Sequence, residues 1–253
     1  MNNTSRTLLL AGALLGASIL SAQVTVLVDF GNDSSFRGAS VDAGGAGIDE
    51  NGNYWTSVWS GAFYPNMVDS TGSATTIDFG FDGAPAGTDY FNGPSGSTAD
   101  PTATVYNATA LGDLGADEAV YDYYVSGRFQ IQGLDPTKTY DLAFFGSHKF
   151  STDDATVYTV YTDNTYTTSV ASVSLNVQTP GSPWLHNQDT VASLTGLSPQ
   201  TSNILYVEFA GSGGNSGYLN AMQITEVPEP STYALYAGFL ALGMILFRRR
   251  LKD

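Results

Sequence analysis

Asp29-Phe30-Gly31-Asn32-Asp33-Ser34 is the most enzyme-like string in this 253-residue chain. A serine just beyond a strand becomes a nucleophile when a histidine base, itself oriented by a carboxylate, reaches its hydroxyl. The chain has two histidines, His148 and His186. Phe145 and Pro183 stand three residues before them, where an Asp-x-x-His base would carry its aspartate. Ser34 is therefore read as a turn serine. A converging carboxylate pair would serve glycoside hydrolysis. Beside many aspartates, the glutamates between the terminal segments are Glu50, Glu118, Glu208 and Glu226. They are read as surface carboxylates, although strand alternation can point Glu208 either way. No residue is assigned a catalytic role.

Metal chemistry has few carriers. There is no cysteine, which excludes thiolate sites and leaves stability to the core rather than to bridges. His148 and His186 are too few and too far apart for a zinc site, and are expected to be solvated loop histidines. Asp49-x-Asn51-x-Asn53 begins like a calcium loop, but Gly52 is displaced from the turn position and no bidentate Glu follows, so no metal ligand is assigned. The remaining candidates are aromatic. Tyr54, Trp55, Trp59 and Trp184 could stack on sugar rings while Asn and Asp take the hydroxyls; the competing reading places them in the core, where aromatics usually go, and it is the preferred one for Trp55 and Trp59, with Trp184 evenly placed between the two. Trp184 lies in Pro180–Asn187, a loop-like stretch with two prolines.

The elements that must position these residues are strands. The chain between its terminal segments is rich in Gly, Ser, Thr, Tyr, Asp and Asn, which favours strands and turns. Strands are expected over Val24–Phe30, Thr75–Phe81, Val120–Ile131, Thr139–Gly146, Asn203–Ala210 and Tyr218–Thr225. In Thr139–Gly146, Tyr140, Leu142 and Phe144 should share one face. A hairpin is expected from Thr156–Tyr161 to Tyr166–Leu175 through Thr162–Thr165. Gly31–Gly52 and Phe81–Thr102 are read as irregular, glycine-rich loops. Gly133-Leu134-Asp135-Pro136 and Gly196-Leu197-Ser198-Pro199 echo each other as corners at which a leucine plugs the core. The expected fold is an all-β antiparallel sandwich occupying residues 23–226, an extent sufficient for one real core.

The two ends carry addresses. Arg6, the apolar run Thr7–Leu20 and Ser21-Ala22 read as a signal peptide over residues 1–22, with cleavage expected after Ala22 and an uncleaved anchor as the competing reading. At the other end, Val227-Pro228-Glu229-Pro230 precedes Ser231–Phe247, which holds no charged residue and approaches the length of a membrane-spanning helix. Arg248-Arg249-Arg250 follows at once, which places the body outside and the basic stub inside. These three parts, in this order over residues 227–253, resemble the PEP-CTERM sorting signal of bacteria that make exopolysaccharide. The resemblance implies an exosortase-type membrane transpeptidase as a partner, cleavage near the motif, and passage from the inner membrane to the cell surface or extracellular matrix. A plain tail anchor is the competing reading.

The body holds four basic residues (Arg37, Arg128, Lys138, Lys149) against 22 acidic ones, a charge near −18 that repels nucleic acid and anionic lipid. Leu27-Val28-Asp29-Phe30-Gly31, Gly133–Pro136 through Tyr140–Ser147, and Gly217–Ile224 look like a module of exported bacterial proteins similar to galactose-binding-like and malectin-like jelly rolls. That resemblance implies a jelly-roll sandwich in which irregular loops can hold a structural calcium ion; no other cofactor is expected. The reading is an exported, non-catalytic sandwich that contacts exopolysaccharide. A small surface hydrolase and a purely structural matrix protein stand as alternatives.

Overall fold

The computed structural model describes residues 23–31, 46–58, 61–91, 106–148, 155–177 and 186–227, with 238–240, 242–244 and 247 near the carboxy end. In chain order its strands are β1 (Thr25–Asp29), β2 (Ala46–Ile48), β3 (Tyr54–Ser57), β4 (Phe63–Tyr64), β5 (Asp78–Phe81), β6 (Gly87–Phe91), β7 (Asp122–Val125) and β8 (Gly127–Gln132). They continue as β9 (Thr139–Phe145), β10 (Ala155–Tyr161), β11 (Ser169–Asn176), β12 (Ala192–Leu197), β13 (Leu205–Gly211), β14 (Tyr218–Leu219) and β15 (Ala221–Val227). The first sheet runs β12-β9-β15-β1-β3-β2, the second β11-β10-β13-β8-β5-β4, and a small third sheet β14-β7-β6. Pairing among the described residues is antiparallel except between β1 and β3. The chain is all-β and sandwich-like.

Alternation writes the inner faces. In β10, Thr156, Tyr158 and Val160 are fully buried while Val157, Thr159 and Tyr161 are not. In β9, Tyr140, Leu142 and Phe144 point inward as expected, and Phe144 stacks on Tyr158 of the facing sheet at 4.4 Å with rings 2° from parallel. Phe30, Phe79 and Phe129 form an aromatic knot between the sheets, with centroids 5.1–5.7 Å apart. Each such buried ring contributes about 1.5–3 kcal/mol.

The first sheet is covered on both sides. Its outer side chains Leu27, Trp55, Phe145 and Ala221 pack under Leu111, Leu114, Ala116, Ala119 and Val120. Those come from a helical roof, Ala108–Leu111 followed by a 3-10 turn and Asp117–Val120. Asn107 starts it, its Oδ1 accepting the Ala110 N–H at 3.2 Å. This double burial is why Val26, Leu27 and Val28 read as a continuous apolar run.

Both leucine corners behave alike. Gly133 and Gly196 take positive φ (69° and 67°), and Leu134 and Leu197 are buried beside them. The Asp135 N–H donates to the Tyr140 hydroxyl at 2.8 Å. Burial, with the charges of Glu226 and Asp135, pushes that phenol up to about 12, so it stays neutral.

Three turns share an Asp-x-Thr device: Asp69, Asp135 and Asp163 each accept the N–H and hydroxyl of the threonine two residues on. At Asp69, burial raises the carboxyl, but bonds from Thr71, Ser73 and Gly72 outweigh it and hold it below its ordinary value. The Thr137 and Thr165 bonds lower Asp135 and Asp163 directly. A depressed folded value stabilises the fold above the unfolded value, about 3.9, and that contribution is lost as pH falls through the folded value. Urea midpoints of the wild type should therefore fall below about pH 4. Asp135→Asn should start lower at neutral pH and fall less steeply; parallel profiles would contradict this.

Several expectations are corrected. Val120–Ile131 is two strands, because Ser126 (φ 36°) breaks the run and passes the chain from the third sheet to the second. Tyr218–Thr225 also divides, at Asn220, between the third and first sheets. The stretch read as loop at Gly31–Gly52 contains β2, templated by β3, and Phe81–Thr102 contains β6, paired with β7. The hairpin forms between β10 and β11, but Tyr166 lies in its connection at φ 54°. β12 was not expected; Gly196 and a shift of register between Leu194 and Leu197 obscure its alternation.

β1 and β15 lie side by side, with Thr25 opposite Thr225 and the Glu226 N–H on Val24 O at 2.8 Å. Both ends of the body thus leave the first sheet from the same end. The expected signal peptide and most of residues 228–253 lie outside the described residues. Residues 238–240, 242–244 and 247 are helical. Among the described residues, no helix is long and apolar enough to cross a membrane.

Candidate functional site

With the first sheet roofed, the outer face of the second sheet is where side chains stand ordered and open. Its strands alternate plainly. In β8, Phe129 and Ile131 face the core while Arg128, Gln130 and Gln132 face out. Register then sets outward neighbours in rows across the strands. One row is Phe63, Gly80, Gln130, Tyr206 and Tyr161; the next is Arg128, Glu208, Thr159 and Ser172.

Hydrogen bonds lock the polar members. Gln132 Nε2 donates to Gln130 Oε1 at 3.0 Å, and Gln130 Nε2 to Asp82 Oδ2 at 3.1 Å. Arg128 Nε donates to Glu208 Oε1 at 2.7 Å, and the Tyr161 hydroxyl to Oε2 at 2.8 Å. Arg128 also lies 4.5 Å over the Tyr166 ring. The Glu208 bond drives the Arg128 value further up. Burial, then the bond to Glu208, raises the Tyr161 phenol, and burial together with the charge of Asp82 raises Tyr166. Both phenols therefore stay neutral, and that of Tyr161 donates to Glu208. The Arg128–Glu208 pair is partly exposed and worth under about 1 kcal/mol, so it orients more than it stabilises.

The face divides in two. Toward β10, Tyr166 folds from the hairpin connection over Tyr161 and Tyr206 (centroids at 5.4 and 6.3 Å), leaving Tyr206 buried. Toward β4 no element among the described residues covers the face. There Phe63 is 54 % exposed, and its ring lies against Gly80, where an added Cβ would sit 3.1 Å from it.

Among the described residues, those singled out from the sequence fall elsewhere. Trp55 is fully buried under the helical roof, with Nε1 donating to Asp49 Oδ2 at 2.9 Å, so its ring offers no stacking surface. Tyr54 is half-buried, its ring close to Gly72. Trp59, Trp184, Pro228–Pro230 and Arg248–Arg250 lie outside the described residues; Val227 ends β15. Asp49-x-Asn51-x-Asn53 is a turn. Asp49 Oδ1 takes the N–H groups of Asn51 and Asn53 at 2.8 Å each, and Oδ2 takes the indole, so the motif does not fit a calcium cradle. Among the described residues, no group of three or more His, Cys, Asp or Glu is placed to hold a metal ion.

The histidines are not solvated. His148 is buried, stacked on Tyr218 at 4.2 Å and edge-on to Tyr123 at 5.0 Å. His186 is buried edge-on to Tyr106 at 5.7 Å. The loops that carry them fold inward because Asn187, Ser147 and Asn220 satisfy the backbone there.

No sequence motif singles out this face. Its signal was the polar–apolar alternation of Gly127–Gln132, with three long polar side chains on one side. No protein-family model and no curated protein matches this chain.

Proposed function

We propose that this chain is an exported, non-catalytic β-sandwich of jelly-roll type, sorted by its carboxy-terminal signal, that presents the open face of its second sheet to extracellular polysaccharide. The observation that carries this reading is the asymmetry of the sandwich. One sheet is roofed, while the other holds an outward array of aromatic, amide, guanidinium and carboxylate groups fixed by cross-strand bonds.

Binding is favoured over hydrolysis by how the carboxylates are engaged. Both oxygens of Glu208 are taken, by Arg128 and Tyr161, and Asp82 holds Gln130. A hydrolase would instead need an acid and a base converging on one bond.

Two observations support the sorting part. Both ends of the body leave the same end of the first sheet, so flanking segments can reach one membrane surface without wrapping the domain. The helical residues near the carboxy end carry exposed apolar side chains, Phe239, Leu240, Leu242, Met244 and Phe247. In this reading residues 1–22 direct export, Val227–Pro230 is presented to an exosortase-type transpeptidase, and Arg248–Arg250 stays inside. Replacing Pro228, Glu229 and Pro230 together by alanine in a producing cell should leave the protein in the membrane fraction at its unprocessed mass. Unchanged processing and release would overturn the sorting.

A further inference from the structure

We propose that the uncovered half of the second sheet's outer face, built on Phe63, Gly80, Gln130, Gln132 and Asp82, is a binding site for a neutral polysaccharide. The inference rests on the polysaccharide reading above and gives it a place and a ligand class.

A lone exposed ring needs no explanation. Phe63 is set apart by its neighbours. Gly80, directly opposite it across the strand pair, has no side chain, so the ring settles over the sheet next to Gln130. The Gln132–Gln130–Asp82 ladder then fixes two long amide side chains that would otherwise each forfeit up to about 2 kcal/mol of rotamer freedom on binding. Each amide nitrogen in the ladder has used one of its two hydrogens, so each keeps one N–H to give. An apolar disc beside ordered donors and acceptors matches a sugar ring, which has a C–H face and a rim of hydroxyls.

Charge selects the class. Asp78, Asp82 and Glu208 outnumber Arg128 on this face, and the body carries 22 acidic residues against four basic ones. An acidic polymer is repelled. A second copy of the chain fits poorly as well. Two such bodies repel each other, and the edge strand that carries Phe63 has two residues, too few to template pairing.

The test uses the full chain in detergent micelles, titrated with soluble neutral glucan, galactan and mannan and with a uronic-acid polymer. The expected result is saturable binding to at least one neutral polymer and none to the uronate. Phe63→Ala should weaken binding at least tenfold. Gly80→Val, which keeps the ring but displaces it, should do the same. Val170→Ala, on the far edge strand of the same sheet, should bind as wild type. Thermal melts confirm that each variant is folded; should Gly80→Val fail to fold, Phe63→Ala decides alone. Wild-type binding that survives Phe63→Ala would overturn this site and leave the polysaccharide reading standing. Equal or tighter binding of the uronate would overturn the ligand class. No binding to any polymer would overturn both. Concentration-dependent self-association abolished by Phe63→Ala would replace the saccharide with a second copy.

Discussion

Asn220→Ala is expected to destabilise the body by about 2–6 kcal/mol, because two buried backbone groups lose their partners at about 1–3 kcal/mol each. Asn220 is fully buried where the chain crosses from β14 to β15. Its Oδ1 accepts the Ser147 N–H at 2.8 Å, and its Nδ2 donates to Val120 O at 2.8 Å. Its own backbone joins the ends of two further strands, donating to Phe145 O at 2.9 Å and accepting the Phe30 N–H at 2.8 Å. One side chain therefore ties the roof and the loop after β9 to the junction of two sheets. Asn220→Asp should be at least as damaging, since it keeps the acceptor, loses the donor and buries a charge. Urea unfolding followed by circular dichroism checks both variants. A loss under about 1 kcal/mol for Asn220→Ala, below the cost of a single orphaned group, would show that this junction is held by something else.

Trp55→Ala should cost about 3–5 kcal/mol, the range for removing a large aromatic from a close-packed site. The indole fills the space between the first sheet and its roof, and its N–H satisfies Asp49, whose other oxygen closes the Asn51–Asn53 turn. Trp55→Phe keeps part of the packing and should lose mainly the hydrogen bond, about 1–3 kcal/mol. Below its melting temperature, the Ala variant should still bind polysaccharide as wild type does. Binding lost in a folded Trp55→Ala protein would place recognition near the roof instead of on the open sheet.

Much of the fold is legible in the chain because local and tertiary signals agree. The alternation in Ala155–Tyr161 and Thr139–Phe145, the two leucine corners and the hairpin turn at Asp163 all carry their reason in a few adjacent residues. Legibility fails where a decision is made across the sheet. Nothing local marks Ser126 and Asn220 as crossing points between sheets; their roles come from Gly217, Val120 and Ser147, far away in sequence. β2 exists because β3 offers it a ladder, not because Ala-Gly-Ile favours extension, and β6 pairs with β7 inside a Gly/Pro/Ser/Asp-rich stretch that hides it. The same limit governs the site. Trp55 lies in the core, the reading its sequence favours, yet only the register of β1 against β3 settles which face it takes. Phe63 becomes notable only when Gly80 is found opposite it and Gln130 beyond, a juxtaposition of β4, β5 and β8.

The most direct test of the account is the affinity of the full chain for the producing cell's own exopolysaccharide, measured by calorimetry alongside the Phe63→Ala variant. Saturable binding by the wild type, weakened at least tenfold in the variant, is the predicted result. A folded wild-type protein that binds neither that polymer nor any neutral glucan, galactan or mannan would contradict the central claim and favour a structural matrix protein whose partners are other proteins.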